Sequence, residues 1–273
     1  MILSEALEMV VRSDPGLIRS HNEDAVFADA SLGIAILADG MGGYKAGEVA
    51  SGMATTLLAT NFSRFIPTHT AASAGYCDVD FAERYIADEV AMANAAIFNS
   101  SQSQPQYAGM GTTLVLAWFY DNRMSVAHVG DSRLYRLRGE CFEQLTRDHS
   151  LLQEQLDSGM ITPEAARYSQ NKNLVTRALG VDSDVKTEIH TYDLQPGDIV
   201  MLCSDGLNDM VEDDEIALTL ETLGGNLTLA AEQLVHMAND NGGRDNISVI
   251  LIKVRGDYSS PKGWWHKLLA CVK

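Results

Sequence analysis

The chain has 273 residues, 46% of them hydrophobic and 7% aromatic, enough to bury a core and too apolar for a disordered polymer. Its 37 acidic residues against 20 basic ones give a net charge of −17. That balance excludes a general nucleic-acid binder, whose affinity rests on Lys and Arg neutralising phosphates, and an anionic lipid surface as partner for the whole molecule. Cys77, Cys141, Cys203 and Cys271 show no C-x-x-C spacing, so neither a disulfide framework nor a zinc finger is expected. The acidic N-terminus lacks the basic segment of a signal peptide, and no run approaches the roughly 18 apolar residues of a membrane span. A cytoplasmic protein is expected.

In chain order, Asn22-Glu23-Asp24 opens the β-like part of the chain, and Gly33 to Ala38 is a short β-like run. Glu48 to Phe65 places Val49, Met53 and Leu57 on one helical face. Residues 66–79, with Pro67, read as a surface loop. Phe81 to Asn99 reads as a second helix, with Phe81, Tyr85 or Ile86, Val90 and Ile97 on a stripe and Asp80 as its N-cap. Three β-like runs follow, Thr112–Tyr120, Arg123–Val129 and Arg133–Arg138; the turn-like Gly130-Asp131-Ser132 predicts a hairpin between the last two. Residues 147–180 form a polar, partly helical insertion, either a lid or a plain connection. Asp198–Cys203 is a further strand, Asn226–Asn239 a helix with Leu227, Ala231, Leu234, Val235 and Ala238 on one face, and Ile247–Val254 the last strand. Early strands, two helices, consecutive strands and then more helices predict an α+β fold with antiparallel sheet, as a single domain over residues 1–255. Residues 256–273 read as a short basic aromatic tail carrying Trp264 and Trp265; packing of this tail on its own domain is favoured over contact with a membrane.

The chemistry lies in the aspartates. Asp39, Asp131, Asp205 and Asp245 each stand at the edge of an apolar run beside a Gly, Ser or Asn, and Asp24 heads another. One Asp-Gly after a strand is an ordinary turn. Several such carboxylates converging at one sheet edge repel by several kcal/mol unless cations neutralise them. Seven histidines are present, none with H-x-x-x-H spacing, so an all-oxygen set selects Mg²⁺ or Mn²⁺ over zinc. Paired ions of this kind bind phosphate and generate a nucleophile from water at neutral pH. Arg19, shortly before Asn22-Glu23-Asp24, is a candidate to grip the phosphate with its guanidinium.

The series Gly16-Leu-Ile-Arg19-Ser-His-Asn22-Glu23-Asp24, Ala38-Asp39-Gly40-Met41-Gly42-Gly43, Gly111-Thr112-Thr113, Val129-Gly130-Asp131-Ser132-Arg133, Leu174-Val-Thr-Arg-Ala-Leu-Gly180, Cys203-Ser-Asp205-Gly206-Leu207 and Gly243-Arg244-Asp245-Asn246-Ile247-Ser248 resembles the metal-dependent (PPM, type 2C) Ser/Thr protein phosphatases, in their compact bacterial branch. The motifs fall in family order from about residue 10 to 254. The resemblance implies an α-β-β-α sandwich of two antiparallel sheets flanked by helix pairs, with a dinuclear metal centre at one end. It implies that Asp39 bridges two Mn²⁺ or Mg²⁺ ions, that the Gly40 carbonyl holds one and Asp205 and Asp245 the other, and that Asp131 helps hold a weaker third. Glu23 and Asp24 act near the metals through water, Arg19 binds the substrate phosphate, and Asn246 and Ser132 are supporting residues. The insertion at 147–180 aligns with the family's flap.

Many eukaryotic members carry His after the Asp-Gly pair as general acid; here Met41 stands there and has no proton to give. The resemblance then implies that the proton comes from water held at the third ion. His149, a second candidate acid, is read instead as a polar residue between loop and helix. The expected substrates are phosphorylated proteins, with a bacterial eukaryotic-like Ser/Thr kinase and possible forkhead-associated proteins as partners, and the chain is expected to be a monomer. Two other readings compete: a hydrolase of small phosphoesters, and an inactive domain that only binds phosphoproteins.

Overall fold

A computed structural model describes residues 3–43, 46–72, 77–162, 165 and 174–260. The strands are β1 (Leu7–Asp14), β2 (Asp24–Asp29), β3 (Ile34–Met41), β4 (Gly111–Thr112), β5 (Leu114–Tyr120), β6 (Arg123–Val129), β7 (Arg133–Arg138), β8 (Cys141–Gln144), β9 (Glu188–Asp193), β10 (Ile199–Cys203) and β11 (Ile247–Val254). The helices are α1 (Leu3–Ala6), α2 (Ala46–Ala72), α3 (Val79–Ser103), α4 (Leu151–Asp157), α5 (Asp205–Asn208), α6 (Asp213–Leu223) and α7 (Leu227–Asp240), with a 3₁₀ turn at Pro105–Tyr107.

The strands form two antiparallel sheets. One has the order β1-β11-β10-β7-β8, the other β2-β3-β5-β6-β9, with β4 paired to β3. Because side chains alternate across a strand, each sheet presents one row inward. Leu37, Val115 and Val126 from one sheet meet Leu134, Val200, Ile250 and Ile252 from the other in a buried central layer. The opposite rows face helices. Ile34, Ile36, Leu114 and Leu116 pack under α2 and α3, and Tyr135, Met201, Val249 and Leu251 under α6 and α7. The α-β-β-α sandwich is therefore present.

Several local expectations are corrected. Arg123–Val129 and Arg133–Arg138 do not form a hairpin: β6 pairs with β5 and β9, β7 with β10 and β8, and Gly130-Asp131-Ser132 carries the chain from one sheet to the other. The buried stripe of α2 is Ala46, Ala50, Ala54, Leu58, Phe62 and Ile66, while Val49 and Met53 lie only half-buried on its flank. Alanines win the inner face because they let the helix approach the sheet closely. Residues 66–72 are helix and not loop: Ile66 is buried in the same core, and the Thr68 hydroxyl donates to the Arg64 and Phe65 carbonyls around Pro67. Asp78, not Asp80, caps α3, its carboxylate accepting the Phe81 N–H at 2.8 Å. Asn226 caps α7, and all five apolar residues expected on that helix face are buried. Strands β1, β8 and β9 are additions to the sequence reading. Tyr258 is buried, with its N–H on Asn122 Oδ1 and its hydroxyl on the Arg123 carbonyl, so the chain just past β11 lies against the β5–β6 turn. Trp264 and Trp265 lie outside the described residues.

Candidate metal centre

The antiparallel register of β2 and β3 sets Asp24 directly opposite Asp39. Strand β3 ends there against the start of α2. A Cβ on Gly40 would stand 2.1 Å from the Gly47 carbonyl oxygen and 2.6 Å from that of Glu23, so only glycine fits. Three backbone and hydroxyl contacts fix Asp39. Thr113 Oγ1 accepts its N–H at 2.9 Å, while the Thr112 hydroxyl and the Thr113 N–H both donate to its carbonyl at 2.8 Å. This is the work of the Gly111-Thr112-Thr113 motif. Thr113 in turn shares a 2.7 Å hydrogen bond with Ser132, on the crossover that carries Asp131.

The other sheet supplies the rest. Asp205 opens α5 as β10 ends, and Asp245 stands just before β11. A Cβ on Gly206 would lie 2.1 Å from the Asn246 carbonyl oxygen, which forces the two loops together. Asn246 ties the edge: its Oδ1 accepts the Glu23 N–H at 2.8 Å, and its Nδ2 donates to the carbonyls of Pro15 and His21. Ser204 donates to Asp24 Oδ2 at 2.8 Å, joining the sheets. Arg19 is half exposed at the rim, with Nη2 2.7 Å from Asp245 Oδ2.

The electrostatics record how closely these groups crowd. Burial pushes the Asp39 carboxyl well above the usual range, and the charges of Asp24, Asp205, Asp131 and Asp245 push it further. Asp205 is raised in the same way, by burial first and then by Asp131, Asp209, Asp245 and Asp24. Asp24 rises to about 7 through burial, against the hydrogen bonds of Ser248 and Ser204. Asp131 also rises to about 7, through burial and then the Asp148 charge. Glu23 is raised by burial, with Arg19 opposing. Asp24 Oδ1 and Asp205 Oδ1 are buried and have no hydrogen-bond partner among the described residues. Orphaned carboxylate oxygens in an all-oxygen cluster are the donor set that a hard divalent cation takes.

Asp24, Asp39, Asp131, Asp205 and Asp245 thus meet at one end of the sandwich. Asp209 was missed. It faces both Asp205 and Asp131, and its position four residues after Asp205 in Asp205-Gly-Leu-Asn-Asp209, one helical turn, was the available signal. His149 lies between loop and helix as expected, just before the α4 cap Ser150; it is buried, and its ring nitrogens contact Gly130, Arg177 and Glu188. Arg133 spans Asp148 with two guanidinium nitrogens and donates to the Tyr135 hydroxyl, a half-buried clamp.

Comparison with known proteins agrees with this geometry. The family model described as protein phosphatase 2C matches residues 19–248. The serine/threonine phosphatase stp of Listeria welshimeri is 39% identical over 245 residues, covering 89% of this chain and 94% of that protein. The crystal structure of the serine/threonine phosphatase Stp1 of Staphylococcus aureus superposes with a TM-score of 0.83 at 34% identity, covering 94% of this chain and 98% of that one. The catalytic domain of the phosphatase PstP, crystallised with 2 manganese ions, superposes with a TM-score of 0.79 at 36% identity over 92% of this chain and 99% of that one. Shared motifs in order, a shared sandwich and matching length leave one assignment: the chain belongs to the protein phosphatase 2C family.

Proposed function

We propose that the chain is a metal-dependent Ser/Thr phosphoprotein phosphatase that hydrolyses phosphoserine and phosphothreonine in proteins, reversing a bacterial eukaryotic-like kinase in the cytoplasm. One observation carries the reading. Five aspartates from both sheets converge on one edge, and two of them keep a buried oxygen without any partner among the described residues.

In this reading Asp39, the Gly40 carbonyl, Asp205 and Asp245 would hold a pair of divalent ions, and Asp131 would help hold a weaker third. Mn²⁺ or Mg²⁺, when bound there, would supply Lewis-acid activation of water and of the phosphate. The protein does the rest. The Thr112–Thr113 contacts stop Asp39 from turning, Asn246 holds Glu23 in place, and Ser204 orients Asp24. Glu23 and Asp24 hold water at the edge of the cluster. Arg19, on a loop pinned through Leu17 and Ile18 to the Gly243 carbonyl, turns its half-exposed guanidinium to the phosphate. Met41 at the end of β3 offers no proton to the leaving serine oxygen, so that proton comes from solvent inside the site.

Chelation tests the reading. Excess EDTA should abolish turnover of a phosphoserine peptide, and added Mn²⁺ should restore it better than Mg²⁺. Full activity in EDTA sinks it. Faster turnover of nucleotides than of phosphopeptides would favour the small-phosphoester alternative, and no turnover of either with metal present the inactive binding domain.

A further inference from the structure

Gly130 is the last residue before Asp131 on the crossover between sheets, and strand β6 has ended at Val129. Its φ of +107° takes it out of any ladder, and a Cβ there would lie 2.7 Å from the Thr113 side chain. Its two backbone groups find one partner. The Gly130 N–H donates to His149 Nδ1 at 3.1 Å, and the His149 N–H donates to the Gly130 carbonyl at 2.8 Å. His149 is itself held. Its carbonyl accepts the Thr176 N–H at 2.7 Å, and the neighbouring Asp148 is clamped by Arg133.

Proton bookkeeping fixes the ring. Nδ1 accepts, so the neutral imidazole carries its hydrogen on Nε2 and donates toward Glu188 Oε1 at 3.2 Å; Arg177 Nη1 reaches the same oxygen at 3.2 Å. His128, His149 and Glu188 bring three ligand atoms within 4.8 Å of one another. They do not make a second metal site, because the Arg177 guanidinium already sits 3.1 Å from His149 Nε2 in the place a cation would take. His128 packs its ring against His149 at 4.5 Å between centroids. The ring is thus braced on three sides and directed at one peptide.

We propose that His149 is a positioning residue for Asp131: it grips the Gly130 peptide through both its N–H and its carbonyl, and so sets where the Asp131 carboxylate stands. The proposal rests on the reading of Asp131 as a working carboxylate of the centre. It explains why a residue with the look of an acid is buried away from solvent, with its basic nitrogen spent on a backbone N–H.

Hydrogen exchange separates the grip from the chemistry, and it is measured on metal-free protein. His149→Ala should speed exchange of the Gly130 amide at least about tenfold, the effect of losing a hydrogen bond worth about 1.4 kcal/mol, while amides in the middle of β6 stay protected. His149→Asn places Oδ1 where Nδ1 stood and should restore most of the protection, although it loses Glu188. With Mn²⁺ added, H149A should lower kcat on a phosphoserine peptide by up to about 10²-fold, the cost of a misplaced group. H149N should recover most of that rate. The H149A effect should also vanish in an Asp131→Ala background, since the two act as a unit. Unchanged Gly130 exchange in H149A, equal impairment of H149A and H149N, or full additivity with D131A would each overturn the proposal. Should H149A fail to fold, fast Gly130 exchange in H149N overturns it, and protected exchange with retained turnover supports it. Wild-type turnover in D131A overturns the reading of Asp131, whereas exchange at Gly130 judges the grip alone.

Discussion

Asp131→Asn in the metal-free protein should change the pH dependence of stability in a way the structure fixes. Asp131 is 7% exposed, and burial with the Asp148 charge lifts its carboxyl from 3.8 to about 7. A raised carboxyl adds stability that is complete below the unfolded pKa and is lost as pH rises through the folded one. On acidification from pH 8 to pH 5, the folded carboxyl takes up its proton while the unfolded one stays largely ionised. The two pH units below 7, at about 1.4 kcal/mol each, give about 3 kcal/mol of stability that asparagine cannot gain. For a chain of this size that is about 6–12 °C in Tm. The buried His128, lowered to about 4, pulls the other way as pH falls, and so does His149. Both are present in wild type and variant, so they drop out of the difference. The assay is thermal unfolding of both proteins in excess EDTA across pH 5–8. The Tm advantage of the variant should be largest at pH 8 and shrink by that amount at pH 5. A difference that stays flat across the range refutes the reasoning, because it would mean that losing Asp131 leaves proton uptake on folding unchanged there.

Asp39→Asn should abolish turnover yet raise the metal-free Tm, since it removes one charge from a site where Asp24, Asp205, Asp131 and Asp245 all face it; a variant with wild-type turnover would remove Asp39 from the mechanism. Asp131→Ala should keep two Mn²⁺ ions in a soaked crystal but lose more rate on a phosphoserine peptide than on p-nitrophenyl phosphate, because serine oxide needs a proton on leaving and nitrophenolate does not. Equal losses would argue against that role. Arg133→Ala should destabilise by about 3 kcal/mol in urea unfolding, because it leaves the Asp148 carboxylate uncompensated; a loss below about 1 kcal/mol, the range of a surface pair, would show the clamp to be ornamental.

The aspartates were legible because each sits where an apolar run meets a small or polar residue, and strand ends gather at sheet edges. Asp209 has only its one-turn spacing from Asp205 to mark it, and that spacing points to the site only once the chain is known to turn helical there. The hairpin expected around Gly130-Asp131-Ser132 failed for a related reason. A turn signal tells that the chain bends, and only the pairing partners β9 and β10, distant in sequence, tell to which sheet it goes. The α2 stripe was read one residue off, since Val49 and Met53 are more apolar than Ala50 and Ala54, yet the close approach of Gly47 to Gly40 demands small residues on the inner face. The place of His149 between loop and helix is legible, but its grip on Gly130 is not, because sequence shows a side chain's chemistry and not what its nitrogens are bonded to.

The pairing of β1 with β11 has a consequence for when this protein can act. The first long strand to leave the ribosome waits for the last, with Leu7 opposite Val254 and Asp14 opposite Ile247. Asp24, Asp39 and Asp131 are synthesised early, but Asp245 and the Asn246 side chain that secures Glu23 arrive only with the closing strand. A nascent chain therefore carries most of its carboxylates without the edge that gathers them, and dephosphorylation begins only after translation has passed the end of β11. A product cut short by even that one strand keeps nearly every motif and none of the assembled centre, so genetic truncation from the C-terminal side should behave as a sharp on–off boundary rather than a graded loss.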